Sequence, residues 1–299
     1  MRVVWISMTI AFAAAATARA DVSYQEEVVN SGMGPKKIGA RKTTNRIYIK
    51  GDRQRIHSEI ETTAKSVKKS TRGGPADAST ILQLDRSTVL EINHEQLIYS
   101  RRSLPRLDRG GMPGPMGAAT TRAAAKRRAA DKRTAAAVNA REREISFRTR
   151  ALPDTATING ISCKRIAAEL VARHYIPGTQ KVRRENRYLY QAWIATEFPG
   201  YEEIRRFNQH QSEKTSYPLL ASGGLDQLAN SVDDYDDLQE KLAEVEGFPI
   251  QSELKVFTKA AGQKERQLLR LQRKVASLTH TPLPDSLFEP SKDLRLVAP

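Results

Sequence analysis

The sequence predicts an α+β fold, a curved antiparallel sheet forming a half-open barrel with helices covering its concave face. Three observations predict it. Short β-rich runs divided by turn dipeptides fill most of residues 21–200. Two amphipathic helical stretches follow within residues 201–246. Two more alternating runs then close the pattern. Strands and helices segregated along the chain argue for α+β over the regular alternation of an α/β fold. The 299 residues suit one large domain. A chain this long can bury roughly 75% of its unfolded surface without disulfide staples.

The elements follow in order. Arg2, the apolar run Val3 to Ala16 and the small-x-small triplet Ala18-Arg19-Ala20 form the three parts of an export signal. Residues 1–20 are therefore expected to be cleaved, leaving a mature chain that begins at Asp21 in a periplasm or outside the cell. Asp21 to Asn30 opens the strands. Arg46 to Lys50 is β-rich and stops at Gly51-Asp52, and Arg53 to Thr62 resumes. Lys65 to Ala78 is polar and holds Gly73-Gly74-Pro75, so a loop is expected. Thr80 to Asp85, Thr88 to Asn93 and Gln96 to Ser100 have the spacing of a meander, with Asp and Asn at the turns.

Leu104 to Ala140 breaks the pattern. Gly110 to Gly117 alternates glycine, proline and methionine, and Ala118 to Ala140 is rich in Ala, Arg and Lys without a larger apolar stripe. Residues 101–145 hold 12 Lys+Arg against 4 Asp+Glu, so this segment carries over half of the net charge of +15. A flexible or partly helical basic insertion at about 101–143 is expected within the single domain 21–299.

Period-2 alternation returns at Ile145 to Arg150, and Asn159-Gly160 is a strong turn signal. Cys163 to Ala172 and Arg187 to Thr196 are the next strands. In the second, Tyr188, Tyr190, Ala192 and Ile194 share one face, and Leu189, Gln191, Trp193 and Ala195 share the other. Tyr201 to Gln211 is helical, with Ile204 and Phe207 three apart. In Asp233 to Glu246, Tyr235, Leu238, Leu242 and Val245 form one helix face, with acidic residues at the start and Gly247 at the end. Pro249 to Phe257 and Glu265 to Leu278 are the last strands, and Pro282 to Pro299 is an extended tail.

Four stretches together carry a family resemblance: Arg46 to Arg55; the hairpin Thr80 to Tyr99; Trp193-Ile194-Ala195-Thr196 running into Pro199-Gly200-Tyr201; and Pro282-Leu283-Pro284-Asp285-Ser286-Leu287-Phe288-Glu289-Pro290. Their order and spacing resemble an uncharacterised family of secreted bacterial proteins that looks like a branch of the LolA-type lipoprotein-carrier superfamily. The resemblance covers most of residues 21–100 and 141–297. It implies a half-open barrel whose helices plug an apolar cavity, and relatives of that type hold acyl chains there. The family offers no catalytic residues to carry over.

The residues themselves bound the chemistry. His57, His94, His174, His210 and His280 are scattered without i, i+4 metal spacing, and each is expected on the surface or in a turn. The lone Cys163 excludes a disulfide framework and is expected to be a buried thiol. No G-x-S-x-G, Walker or dinucleotide motif occurs, so no enzyme and no cofactor are expected. The run Asp233 to Asp237 lacks the glycine and distant Glu of a calcium loop. No apolar run reaches about 18 residues, so no transmembrane span is expected.

The expected function is therefore non-enzymatic binding of a lipid or other apolar ligand. Tyr188, Tyr190, Ala192, Trp193, Ile194, Phe207, Leu238 and Leu242 are the candidate cavity wall. The alternative is an envelope interaction module with a filled core, binding a protein or an anionic polymer through its surface and basic insertion. A hydrolase with an unrecognised site is a third reading. Lys126, Arg127, Arg128, Lys132 and Arg133 are the candidate contacts to an anionic envelope surface. Nucleic acid is not an expected partner, because no aromatic residues interleave these cations. N-terminal sequencing of protein from the envelope fraction should read from Asp21. Intact Met1 in a cytoplasmic fraction would remove the export argument.

Overall fold

The computed structural model describes residues 21–32, 39–62, 75–104, 143–214 and 234–298. They build one 12-stranded sheet: β1 (Val22–Asn30), β2 (Arg41–Lys50), β3 (Arg53–Thr62), β4 (Asp77–Gln83), β5 (Thr88–Asn93), β6 (Ile98–Ser103), β7 (Arg143–Ile158), β8 (Ile161–Tyr175), β9 (Val182–Ala195), β10 (Phe248–Ala260), β11 (Arg266–His280) and β12 (Arg295–Val297). Helices α1 (Tyr201–Lys214) and α2 (Tyr235–Ala243) lie between β9 and β10, and a 3-10 turn spans Asp285–Phe288.

The strand order is β12-β6-β5-β4-β3-β2-β1-β11-β10-β9-β8-β7. Two antiparallel meanders, β1 to β6 and β7 to β11, are thus joined by pairing of β1 with β11. Only β12 runs parallel to its neighbour, β6. β7 pairs along one side with β8, so the order ends at β12 and β7 and the sheet is not closed.

This corrects the predicted class. Among the described residues, 62% are strand and 12% helical, with two helices, so the fold is mainly β, not an α+β half-barrel with helices covering a face. The helical patch was legible, but its weight was overestimated. β7 to β11 run 13 to 16 residues each, whereas the helices have 14 and 9. Such short helices supply plugs of side chains rather than a layer.

Local chemistry explains the connections. Asn159 (φ 52°) and Gly160 (φ 76°) both adopt left-handed backbone, as a two-residue hairpin turn of the type that matches strand twist demands. Gly200 (φ 93°) starts α1 against β1, and a Cβ there would lie 2.5 Å from Val22 Cγ2. Gly51 (φ 55°) turns β2 into β3.

Alternation along each strand creates two faces. On one, two apolar clusters form. Val22, Tyr24, Ile47, Ile49 and Leu82 pack with Ile204 and Phe207 of α1. Val28, Leu170, Tyr188, Leu254 and Leu271 pack with Leu238 of α2. A polar seam separates them. Glu26 on β1 and Arg273 on β11 are 2% and 4% exposed, and Arg273 Nε donates to Glu26 Oε2 at 2.6 Å. Asn45 Nδ2 donates to Glu26 Oε1 at 2.9 Å, and Ser58 Oγ donates to Asn45 Oδ1 at 2.7 Å. Arg273 also donates to the Pro249 carbonyl and lies 5.1 Å from the Phe248 ring centre. Burial opposes the charge on Arg273, but the adjacent Glu26 carboxylate outweighs it and holds the guanidinium above its ordinary pKa.

The opposite face carries the third cluster. The chain leaves β11, and Leu283, Leu287, Phe288 and Leu294 pack onto Tyr48, Ile81, Leu90, Ile92 and Tyr99 before β12 joins β6. Gln83 Nε2 donates to the Phe288 carbonyl at 2.8 Å and Arg55 to that of Leu287 at 3.1 Å. Asp21 is buried and anchors the start of this tail. Its Oδ2 accepts from the Leu283 amide at 2.8 Å, and its carbonyl from that of Thr281 at 3.0 Å. The tail was expected to be merely extended. It is instead a second packing layer.

Arg273→Met strips Glu26 of its cation in a dry setting and should cost ~3–5 kcal/mol, read as a lower urea midpoint. Glu26→Met together with Arg273→Met removes both charges and should recover most of that loss. Equal losses in the single and double variants would show that something other than the uncompensated charge is being measured.

Candidate functional site

Six of the eight residues expected to line a cavity gather at one apolar cluster, and they are packed. Tyr188, Tyr190 and Ala192 of β9 are 1%, 8% and 1% exposed and share a cluster with Leu238 at 1%. Ile194 and Leu242 pack against the same cluster. Phe207 is completely buried, but it belongs to the other cluster, under α1. Trp193 departs from the set. Its ring packs at the edge of the α1 cluster, and the Arg165 guanidinium lies 5.7 Å from its centre.

The start of α2 is tied directly to this wall. Asp234 occupies the N-cap position but makes no side-chain cap bond. Its buried carboxylate turns to the sheet and accepts from Asn186 Nδ2 at 2.9 Å and Tyr188 OH at 3.2 Å, with His174 Nε2 also at 3.2 Å. Arg143 adds its guanidinium, 3.3 Å from Asp234 Oδ1. The sequence suggested a solvated acidic cap here. The polar partners that draw Asp234 inward come from β7, β8 and β9, so no local pattern announces them. Asp233, the other expected cap residue, lies outside the described residues.

An open groove of about 390 Å³ lies on the opposite face, across β8, β9, β10, β11 and β1. Strand register puts its side chains in two adjacent rows. Arg165, Trp193, Gln251, Lys274 and Glu27 are successive cross-strand partners. Gln191, Glu253, Gln272 and Val29 form the second row. Arg165 Nη2 donates to Gln191 Oε1 at 2.9 Å, and Glu253 accepts from Gln272 at 3.2 Å and from Arg270 at 2.5 Å. Burial pushes the Glu253 carboxyl up, but Lys255 and Arg270 prevail and hold it below its ordinary pKa. The surface is thus an indole, several amides and charges of both signs. Of the predicted wall, Ala192 and Trp193 border it.

A second polar constellation lies on the same face, at β3, β4 and the β5–β6 turn. His57 Nδ1 is 3.6 Å from Asp77 Oδ1, and the His57 and His94 ring centres are 5.3 Å apart. Ser79 Oγ sits 3.1 Å from His57 Nδ1 and 2.8 Å from His94 Nε2. Burial lowers the His94 pKa and favours its neutral imidazole, although Asp77 pulls the other way. The sequence placed His94 correctly in a turn but gave no hint of this gathering. Its spacing rules describe helices and loops, whereas these residues meet through pairing of β3 with β4 and β4 with β5. The other histidines remain dispersed, with His210 beside Asp52 at 2.8 Å and His280 3.7 Å from Glu203.

Cys163 is buried, as a structural thiol would be, and burial raises its pKa. Lys126, Arg127, Arg128, Lys132 and Arg133 lie outside the described residues, as do residues 1–20. Among the described residues, no helix is long and apolar enough to cross a membrane. No protein-family model matches the chain, and a comparison with curated proteins finds no match either.

Ala192 distinguishes a packed wall from an open one. Ala192→Trp forces an indole into a site with 1% exposure and should destabilise the protein by ~1–3 kcal/mol or more, seen as a lower melting temperature. An unchanged melting temperature would mean that free space lies beside β9.

Proposed function

We propose that the protein is an exported, non-enzymatic interaction module that lays an extended acidic, hydroxyl-rich envelope polymer across its sheet. The observation that carries this reading is the contrast between the two faces. The face carrying α1 and α2 is filled by side chains with almost no exposure, whereas the groove on the other face is open and polar. A packed interior supports the filled-core alternative over a carrier of acyl chains, whose mechanism needs vacant apolar volume.

The groove chemistry suits such a partner. Gln191, Gln251 and Gln272 each present both a donor and an acceptor, which is what hydroxyl groups require. Arg165 and Lys274 attract acidic groups, and the indole of Trp193 offers an apolar edge. Five strands about 4.8 Å apart give the groove a length of ~19 Å, enough for several polymer units. Exposed contacts of this kind are individually weak, so affinity rests on repetition along a chain and falls with added salt.

Trp5 lies in the expected signal, which leaves Trp193 as the sole tryptophan of the mature chain. Its fluorescence should change saturably when an acidic envelope polysaccharide is added. Gln251→Ala combined with Lys274→Glu should weaken that binding about tenfold, equivalent to ~1.4 kcal/mol, while leaving the melting temperature nearly constant. Binding of a fatty-acid probe without any response to polysaccharide would reverse the proposal and restore the apolar-ligand reading.

A further inference from the structure

We propose that His57, His94 and Asp77 form a binding site for a divalent first-row transition metal, with zinc as its natural occupant. One ligand atom from each residue can be chosen such that all lie within 4.8 Å of one another. Donors around a four-coordinate zinc, with bonds of about 2.0–2.1 Å, are separated by about 3.3–3.5 Å. The observed 3.6 Å between His57 Nδ1 and Asp77 Oδ1 already matches that spacing. The other donor separations, all within 4.8 Å, shorten when the ion binds. Two imidazoles and one carboxylate leave a fourth position open, and they select zinc, copper or nickel over calcium or magnesium.

Two independent features point to a ligand. Asp77 Oδ1 is a buried oxygen with no hydrogen-bond partner, although the Asp77 side chain as a whole is 44% exposed. A buried carboxylate oxygen without a hydrogen bond is costly, and a bound cation offsets the cost. The second feature is the arrangement behind His57. Its Nε2 lies 3.2 Å from Glu59 Oε1, and Arg46 holds that same oxygen at 3.0 Å. A carboxylate only accepts, so the Glu59 contact engages His57 through Nε2 and leaves Nδ1, on the Asp77 side, as the ligand atom. Metal-binding imidazoles are commonly oriented by a carboxylate in this way.

Two groups oppose the cation and set the expected affinity. Ser79 Oγ occupies the space between the imidazoles, so metal either takes it as the fourth donor or displaces its hydrogen bonds. Arg55 Nη2 donates to Ser79 Oγ at 3.2 Å, and its positive charge repels a second cation. Arg55 is held in place by the Leu287 carbonyl of the tail. Binding in the micromolar range is therefore expected, weaker than at a dedicated structural zinc site.

The test uses the mature chain without an affinity tag. Titration with zinc chloride should give one ion per chain with a Kd of about 1–10 μM. At a hundredfold excess over Kd, the melting temperature should rise by roughly 5 °C. Among the five histidines, the imidazole NMR signals of His57 and His94 should shift in the wild type on zinc addition. Cobalt substituted for zinc should give the visible bands of nitrogen and oxygen ligation. His94→Gln and Asp77→Asn should each weaken zinc at least tenfold. Absence of binding at 100 μM zinc, shifts confined to other histidines, or full affinity in folded His94→Gln would each overturn the assignment. The NMR result on the wild-type chain decides the question even if a variant fails to fold. None of these readouts involves a polymer, so the outcome is separate from that of the groove.

Discussion

The buried pair between Glu26 and Arg273 is the constraint on which the sheet depends. It joins β1 to β11, and that junction is where two meanders become one structure. A charge pair removed from water is a poor source of net stability, because desolvation offsets much of the attraction. Its value here is register. Sliding β11 by one residue would turn Arg273 outward and abandon Glu26 among apolar side chains. The network through Asn45 and Ser58 extends the same requirement to β2 and β3.

Register at this seam decides what happens on both faces. On one, the seam divides the apolar surface in two, and each half receives its own helix: α1 over Val22, Tyr24 and Ile47, and α2 over Val28, Leu254 and Leu271. On the other, the bare strands cannot all remain exposed. The apolar side chains of β2, β4, β5 and β6 are covered by the tail, anchored at Asp21 and again at β12. What stays open is the polar remainder. The location of the groove thus follows from what the tail leaves uncovered.

Much of this was legible in short windows of sequence, because strands and turns are local. The alternation in β7 and β9, the Asn159-Gly160 turn and the apolar stripe of α2 each state their structure within a dozen residues. Pairing is not local. Nothing within Asp21 to Asn30 announces that β1 will lie between β2 and a strand some 250 positions away. Arg273 therefore carries no local mark of its burial, although it is 4% exposed and paired with Glu26. His57, Ser79 and His94 failed to stand out for the same reason. The fold class was misjudged on proportion, since local patterns reveal that helices exist but not how little of the sheet they cover.

The two polar sites prove to share one line of the structure. Arg165, Trp193, Gln251, Lys274, Glu27, Thr44, Glu59 and Asp77 are successive cross-strand partners from β8 to β4, so all lie on one face. Seven strand spacings of about 4.8 Å make this row ~34 Å long. One end carries the indole and guanidinium of the groove, and the other end carries the carboxylate of the histidine cluster. Cross-strand rows are built by register, so the geometry relating the two sites is set by backbone pairing rather than by flexible side chains. A polymer long enough to leave the groove at Glu27 meets Thr44 and Glu59 next, then the open position beside His57 and His94. The acidic residues along that stretch repel a polyanion, whereas a metal ion at its end would attract one. If both proposals hold, an ion at the cluster changes how much of the row an acidic chain can follow.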